Sequence, residues 1–516
     1  MQNNYGNLYW HRLKKEPLYI ILLLFFIGRI SLSGQGYLSD SDEKDFFSAI
    51  NAFDDFINFE FRKLSLDIFA NWGNPAEVLI KLFEVPFLKL FCFVTNKTVD
   101  SPQSLSVIGA FNIVVSIAIL YVFYRILLNL KFDKTQSLTG VILLGSLVNM
   151  NLYVRHILSY DEALLFFLIA LCLLTSSKTD LGKYRMAGIM AGIGFTTYPG
   201  PFMFLPILGL FILISNRKNF FRASIKPIIH FSFSILGVLL FFEAISRISG
   251  NSYIKSAFLL SDAIVEGSYN EGFSFLFSYV FYVEGVWGTI LLACFFLSFL
   301  FLYIRASYFE AKIISLLAVF AYLSFAVYVY YFNQMVWYGR VLHMYFPFLV
   351  IGALVFLCEC KWLNHKAAFI LISLASAINY GYIVYDLNTI AYPRDVLYKY
   401  GIAPKYKNIH TNYVYQLINI YDYNEIANSL NTDIQKQVLA DGTYDLLNVC
   451  WLRHYPDFRY INDYQPYNLD TLKSENILFN KTHFMSHPAY VFEYCTEAGK
   501  KFFVEKNFKI MIIKKS

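Results

Sequence analysis

Residues 105–127, LSVIGAFNIVVSIAILYVFYRIL, form an almost uninterrupted apolar stretch. About 20 mostly apolar residues are enough for one helix to cross the hydrocarbon core of a bilayer. The only charged side chain of this stretch is Arg125, close to its end. The stretch therefore predicts a transmembrane helix.

The whole chain has a similar composition. Its 516 residues are 57% hydrophobic and only 16% charged, whereas soluble globular chains are about 45–50% apolar and about 25% charged. This composition argues against a disordered chain, a coiled coil and an ordinary cytosolic enzyme. The net charge is +6, with no basic tract or zinc-finger spacing, so we do not expect a nucleic acid as partner.

Ten further apolar runs resemble the first, which predicts an α-helical polytopic protein with about eleven transmembrane helices. The run nearest the N-terminus is 17–33. No small-residue cleavage site follows it before Asp40, so we expect this run to remain as a membrane anchor. The predicted spans are 17–33, 105–127, 136–153, 161–176, 186–198, 200–215, 227–247, 286–304, 311–331, 345–358 and 367–385.

Basic residues concentrate in every second connection between these spans. Cytoplasmic connections carry an excess of Lys and Arg. The alternation therefore predicts a multi-pass protein of the plasma (inner) membrane, with a cytoplasmic N-terminus and an extracytoplasmic C-terminus. The basic residues are Arg12, Lys14 and Lys15; Arg125, Lys131 and Lys134; Lys178, Lys183 and Arg185; Arg217, Lys218, Arg222 and Lys226; Arg305 and Lys312; and Lys361 and Lys366.

Two domains are predicted. Residues 1–390 form the transmembrane domain, with surface helices at 40–96 in its first outer loop. Residues 391–516 lose the apolar runs and alternate short strand-like and helical patterns, which is typical of a small extracytoplasmic α/β domain. Cys450 and Cys495 both fall in that domain, and whether they form a disulfide stays open.

Ionisable residues at membrane boundaries are candidates for function, and the first group follows span one. Asp40, Asp42, Glu43 and Asp45 lie in the stretch 37–47. They can be a solvated acidic loop that begins a helix, because carboxylates are favoured there. They can also be held over a cavity by the amphipathic outer helices that follow.

Three more polar groups fall at the same predicted outer face. Arg155 and His156 precede Asp161 and Glu162 at the start of span four, where N-capping explains one carboxylate but not the two basic residues. The other two groups are the tight turn 194–201, which contains Tyr198, and the pair Arg340 and His343, which share a helix face before span ten. Carboxylates beside Arg and His suit chemistry on a lipid-linked substrate, because a carboxylate can act as base and the cations can neutralise a departing phosphate.

These motifs resemble those of the GT-C glycosyltransferases, which include protein O-mannosyltransferases and the aminoarabinose transferase of lipid A. Asp42-Glu43 is similar to the acidic motif of the family's first outer loop, with Asp40 as an alternative, and Asp161 to its second acidic residue. Ala187-Gly-x-x-Ala-Gly192 followed by Phe195-Thr-Thr-Tyr-Pro199 resembles the fifth-span hairpin. Several members carry Lys there, where this chain has Thr197 or Tyr198. Arg340-x-x-His-x-Tyr345 resembles the Arg-Tyr stretch before a late span. The resemblance covers roughly residues 15–350.

The resemblance implies a glycosyltransferase that moves a hexose or pentose from a polyprenyl-phosphate donor to an extracytoplasmic lipid, glycan or protein. Asp42 would be the base or would position the acceptor, and Glu43 and Asp161 would shape the acceptor side. Arg155, His156 and Arg340 would face the carrier phosphate, while Asp40, Tyr198 and His343 would line the substrate site. Some members need a divalent cation such as Mg²⁺ or Mn²⁺, and no ligand set in this sequence decides the point. A flippase or exporter of lipid-linked oligosaccharides and a non-catalytic scaffold are the alternatives.

Overall fold

The computed structural model describes residues 17–32, 46–69, 74–97, 99, 102–155, 157–177, 180–200, 202–215, 222–258, 275–301, 308–332, 338–360 and 364–389. The regular elements within these ranges are all helices. The predicted C-terminal α/β domain, its strands and Cys450 and Cys495 lie outside them. The extracytoplasmic domain and the disulfide therefore stay predictions.

The first part of the chain contains one apolar helix and four shorter ones. Helix α1 is Pro17–Ile30, and the shorter helices are α2 (Phe46–Ile57), α3 (Phe61–Ile68), α4 (Pro75–Lys81) and α5 (Val85–Thr95), in the segment predicted as the first outer loop. Between α2 and α3 the chain turns at Phe59, which has a positive φ of 58°.

The rest of the described chain is a bundle of mostly long helices. They are α6 (Pro102–Asn129), α7 (Lys134–Gly145), α8 (Val148–Leu152), α9 (Tyr160–Thr175), α10 (Leu181–Thr197), α11 (Phe204–Ser215), α12 (Arg222–Ile248), α13 (Phe275–Leu297), α14 (Phe309–Phe332), α15 (Tyr338–Glu359) and α16 (His365–Thr389). Each of the eleven predicted spans coincides largely with one or two of these helices. Asp133 caps α7, because its side chain accepts from the backbone N–H of Gln136 at 2.9 Å.

Several helices have apolar surfaces that face outward rather than into the bundle. Stretches of α6, α12 and α16 are long and apolar enough to cross a membrane on their own, namely Ser104–Asn129, Ser224–Ile248 and His365–Tyr385. Phe233 on α12 is 66% exposed and Ile378 on α16 is 73% exposed. An apolar outer surface of this extent fits lipid rather than water. The chain is therefore a helical membrane protein, while the number of eleven spans and the orientation stay predictions.

Helix α9 lies at the centre of the bundle. It packs against α6 on one side and α10 on the other, and α10 packs closely on α12. Gly188 makes the close contact between α10 and α12 possible, because a Cβ at this position would lie only 2.3 Å from the carbonyl oxygen of Phe231. Small residues allow helix backbones to approach in this way within membranes. The central position of α9 fixes the location of the residues at its N-terminus.

Helix α13 is interrupted at Gly285, which has φ 64° and ψ −154°. Glycine adopts this conformation without the strain that a Cβ would cause. The preceding residue, Glu284, is 7% exposed. Its carboxylate accepts from the backbone N–H groups of Val148 at 2.7 Å and Asn149 at 2.8 Å. Glu284 thereby satisfies the N-terminus of α8, which leads directly to the stretch around Asp161.

Candidate functional site

Asp161 and Glu162 lie in the first turn of α9 and are each only 2% exposed. Ser159 is the N-cap residue, but its side chain makes no capping hydrogen bond. The partial positive charge at a helix N-terminus favours carboxylates in this position. The two side chains nevertheless have different partners.

Asp161 forms a buried pair with His343. The Oδ1 atom of Asp161 lies 2.7 Å from His343 Nε2, and the imidazole is fully buried. On the other side of the ring, His343 Nδ1 lies 3.4 Å from the side-chain nitrogen of Asn149. This arrangement fits a ring that donates from Nε2 to Asp161 and accepts at Nδ1 from Asn149. His343 thus fixes the orientation of the Asp161 carboxylate.

The second carboxylate oxygen of Asp161 has a different environment. Oδ2 is buried and has no hydrogen-bond partner within the part of the chain that the structure describes. Oε2 of Glu162 is also buried and has no hydrogen-bond partner among the described residues. A buried acceptor that is left unsatisfied costs about 1–3 kcal/mol, and more when the group is charged. These two oxygens can therefore each accept a hydrogen bond that the described part of the chain does not supply.

Glu162 forms an ion pair with Lys81 at the end of α4. Its Oε1 lies 2.7 Å from Lys81 Nζ, which also donates to Asn112 Oδ1 at 2.9 Å. Glu84 Oε1 lies 3.6 Å from the same Nζ. Lys81 is 1% exposed and Glu84 is 4% exposed. The polar side of α4 therefore packs against the bundle and ties the segment of short helices to the start of α9.

The electrostatics of this cluster follow from burial and from the unequal number of charges. Burial alone lowers the pKa of Lys81, but the carboxylates of Glu162 and Glu84 raise it more, so the ammonium stays charged. Burial raises the pKa of Glu84 to about 7, and the effect of Lys81 in the opposite direction is smaller. Glu162 adds to the rise because it is a second negative charge. The positive charge of Lys81 thus compensates the charge of Glu162 better than it compensates the charge of Glu84.

Glu84 makes the stability of the protein depend on pH. Because its pKa rises from 4.5 to about 7 on folding, the folded state binds the proton more tightly. Stability should therefore fall as pH rises from about 4.5 to about 7, by on the order of 3 kcal/mol for this group. We expect Glu84→Gln to remove this part of the pH dependence and to raise the apparent melting temperature above pH 7.

The measurement is a series of thermal unfolding curves of the detergent-solubilised protein between pH 5 and pH 8. Glu60→Gln is the matched control, because Glu60 is an exposed partner of Lys63. If the Glu84→Gln and wild-type curves stay parallel over this range, the assignment to Glu84 is wrong.

Aromatic side chains surround the Asp161–His343 pair. The ring of Tyr153 packs edge-on against His343 at 5.0 Å and against Tyr160 at 5.1 Å between centroids. Tyr198, a predicted site residue, is half-buried in the turn between α10 and α11 and lies 4.7 Å from Tyr160. The structure thus brings Tyr198 to the start of α9, and its role in a substrate site stays a prediction.

The remaining predicted site residues are described only in part or not at all. Asp40, Asp42, Glu43 and His156 lie outside the described residues. Arg155 ends the short 3₁₀ helix Tyr153–Arg155, and Arg340 lies in the first turn of α15, three residues before His343. The side chains of Arg155 and Arg340 are not described. The predicted placement of Asp42 and Asp161 at one face of the membrane therefore stays a prediction.

Several polar residues of this region are absent from the sequence-based set. They are Lys81, Glu84, Asn149, Asn151 and Glu284. One signal was available, since Asn149, Asn151 and Glu284 interrupt or directly border apolar stretches. The pairing of Lys81 with Glu162 has no sequence signal, because it joins residues 81 positions apart.

A separate cavity of about 300 Å³ lies between α2 and α3. Its lining residues are Asn51, Asp54, Asp55, Lys63, Leu66 and Asp67. It contains none of the predicted site residues, and Asp54 is already paired with Lys89. Among the described residues, no group of three or more His, Cys, Asp or Glu side chains is arranged to hold a metal ion.

The apolar outer surface and the buried ionisable cluster together define the class of this molecule as a helical membrane protein with a polar site at the N-terminus of α9. Residues 87–246 match the model of the dolichyl-phosphate-mannose-protein mannosyltransferase family. The matched segment includes Asp161, Glu162 and Tyr198. No curated protein matches the chain at a significant level. The family match indicates a membrane glycosyltransferase of the mannosyltransferase type.

Proposed function

We propose that this protein transfers a sugar from a polyprenyl-phosphate donor to an extracytoplasmic lipid, glycan or protein. The proposal is supported by the match of residues 87–246 to a family of lipid-phosphate-dependent mannosyltransferases. It is also supported by the buried charges in that segment, which an inert membrane helix would not need. The identity of the sugar, hexose or pentose, is part of what the assay below determines.

The observation that carries the proposal is the state of the Asp161 carboxylate. His343 holds Oδ1 at 2.7 Å, while Oδ2 is buried without a partner among the described residues. A fixed carboxylate with one free oxygen is suited to accept a hydrogen bond from a hydroxyl group. Sugars and their usual acceptors carry such hydroxyls. In this proposal Asp161, together with Glu43, holds the acceptor side, and His343 positions Asp161.

The reaction requires a base and a site for the departing phosphate. The acceptor oxygen attacks the anomeric carbon, the bond from that carbon to the phosphate oxygen breaks, and polyprenyl phosphate leaves with the electron pair. Asp42 takes the proton of the acceptor hydroxyl. Arg155, His156 and Arg340 stabilise the charge on the departing phosphate. Asp40 and Tyr198 line the substrate site.

The role of Asp161 is tested by Asp161→Asn. Asn keeps an oxygen for His343 but removes the charge that strengthens a hydrogen bond to a hydroxyl. Such a bond contributes about 1.5–3 kcal/mol, so we expect a roughly 10- to 100-fold lower transfer rate in membrane vesicles.

Asp133→Asn is the matched control. Asp133 caps α7, and Asn is an equally good N-cap residue, so this variant should transfer sugar at the wild-type rate. Full activity of Asp161→Asn would remove Asp161 from the site.

A further inference from the structure

Arg29, in the last turn of α1, is completely buried. Its Nε donates to Oδ1 of Asn151 at 3.2 Å. The amide of Asn151 is fixed in this orientation, because its Nδ2 donates to the carbonyl oxygens of Gly145 at 2.8 Å and Leu147 at 2.7 Å. The guanidinium carbon lies 5.7 Å from the ring centroid of Phe25. The side chain is therefore held firmly on one side.

The other side of the guanidinium group has no hydrogen-bond partner among the residues that the structure describes. Both Nη1 and Nη2 are buried, and neither has a hydrogen-bond partner in the described ranges. A guanidinium group stays charged in proteins. A buried charge without a partner is strongly unfavourable unless a ligand compensates it. The two free Nη groups form a planar fork, which is the geometry that binds two oxygens of a phosphate or carboxylate.

Arg29 belongs to the same polar region as Asp161. The two groups interact electrostatically, and Asn151, the partner of Arg29, is two residues from Asn149, the partner of His343. The free Oδ2 of Asp161 and the free Nη groups of Arg29 do not bond to each other. The region therefore combines a group that can bind an anion with a group that can accept a hydrogen bond. An inverting sugar transfer needs this combination, with the phosphate of the donor beside the hydroxyl of the acceptor.

We propose that Arg29 binds the phosphate of the lipid-linked donor through its two Nη groups. This inference rests on the proposed function and adds a phosphate-binding residue from α1. Arg29 acts together with the cations of the proposed phosphate site.

The test measures the thermal stabilisation of the purified full-length protein by undecaprenyl phosphate, undecaprenol and inorganic phosphate. We expect stabilisation of the wild type by undecaprenyl phosphate only. In Arg29→Met, the concentration of undecaprenyl phosphate that gives half of the stabilisation should rise at least about tenfold. Arg29→Lys keeps the charge but loses the planar pair of N–H donors. The concentration that gives half of its stabilisation should therefore lie between those of the wild type and Arg29→Met.

The melting temperature without ligand separates binding from a structural role. Removing a buried charge whose two Nη groups have no hydrogen-bond partner among the described residues should leave this temperature unchanged or raise it. Arg125→Met, at an exposed arginine near the end of α6, is the matched control and should bind as the wild type does. Equal binding by Arg29→Met and wild type would overturn the inference, as would a fall in melting temperature with unchanged binding.

The comparison of ligands on the wild type tests whether the site takes a lipid phosphate or free phosphate. If inorganic phosphate stabilises the wild type as well as undecaprenyl phosphate does, the site takes free phosphate and the assignment to a lipid donor is overturned. If undecaprenyl phosphate does not stabilise the wild type, the inference fails. The proposed function fails as well only if the wild type also does not transfer sugar, so the two failures are distinguishable.

Discussion

Asp42→Asn is expected to lower the rate of sugar transfer by about 10²–10⁴-fold, the effect typical of a lost general base. Asn has nearly the same shape and keeps an acceptor oxygen, but it cannot take a proton at neutral pH. Membrane insertion, expression and melting temperature should stay close to those of the wild type, because the predicted position of Asp42 is in a loop outside the bilayer. The measurement is the initial rate of transfer from a labelled lipid-phosphate sugar.

Asp45→Asn is the control for this experiment, since Asp45 follows Asp42 by three residues and has no proposed role. This variant should transfer sugar at nearly the wild-type rate. Full activity of Asp42→Asn would indicate that Asp40 or Glu43 is the general base instead. If all three can be neutralised without loss, the acidic loop is only a solvated helix start, and the proposed mechanism is wrong.

Lys81→Met is expected to have the largest effect on stability. The substitution leaves Glu162 buried without its cation, and it also removes the donor to Asn112. Removing one partner of a buried ion pair costs on the order of 3–5 kcal/mol. The apparent melting temperature of the detergent-solubilised protein should fall accordingly, and the contact between the outer loop and α9 should weaken.

Two further variants identify the cause of that loss. Adding Glu162→Gln to Lys81→Met removes the uncompensated charge, so part of the lost stability should return. Lys63→Met breaks only the exposed pair with Glu60 and should leave the melting temperature unchanged. If Lys81→Met unfolds at the same temperature as Lys63→Met, the buried pair does not stabilise the fold.

The helices could be predicted because their signal is local. An apolar run of 20 or so residues specifies a membrane helix from composition alone, and residues 105–127 lie within α6. The break at Gly285 could not be located in the same way. The predicted span 286–304 begins beside it, whereas the helix itself runs from Phe275 to Leu297. Within an apolar stretch, a glycine gives no sign of its backbone conformation.

The site could be predicted only in part, for a related reason. Asp161 and His343 stand out in the sequence as ionisable residues beside apolar stretches, and the structure brings them together. Their partners depend on tertiary packing. Asn149 and His343 are 194 residues apart, and Arg29 and Asn151 are 122 residues apart. No periodicity in the sequence connects residues over such distances.

The most direct measurement of the central claim is a transfer assay with the purified protein in proteoliposomes. A panel of polyprenyl-phosphate sugars, each labelled in the sugar, is supplied together with a membrane extract that provides acceptors. We expect one donor to be consumed, with polyprenyl phosphate released and the label bound covalently to an acceptor, and we expect Asp42→Asn to abolish both. The result that would contradict the account is movement of the labelled lipid across the membrane with its sugar–phosphate bond intact, which would indicate an exporter.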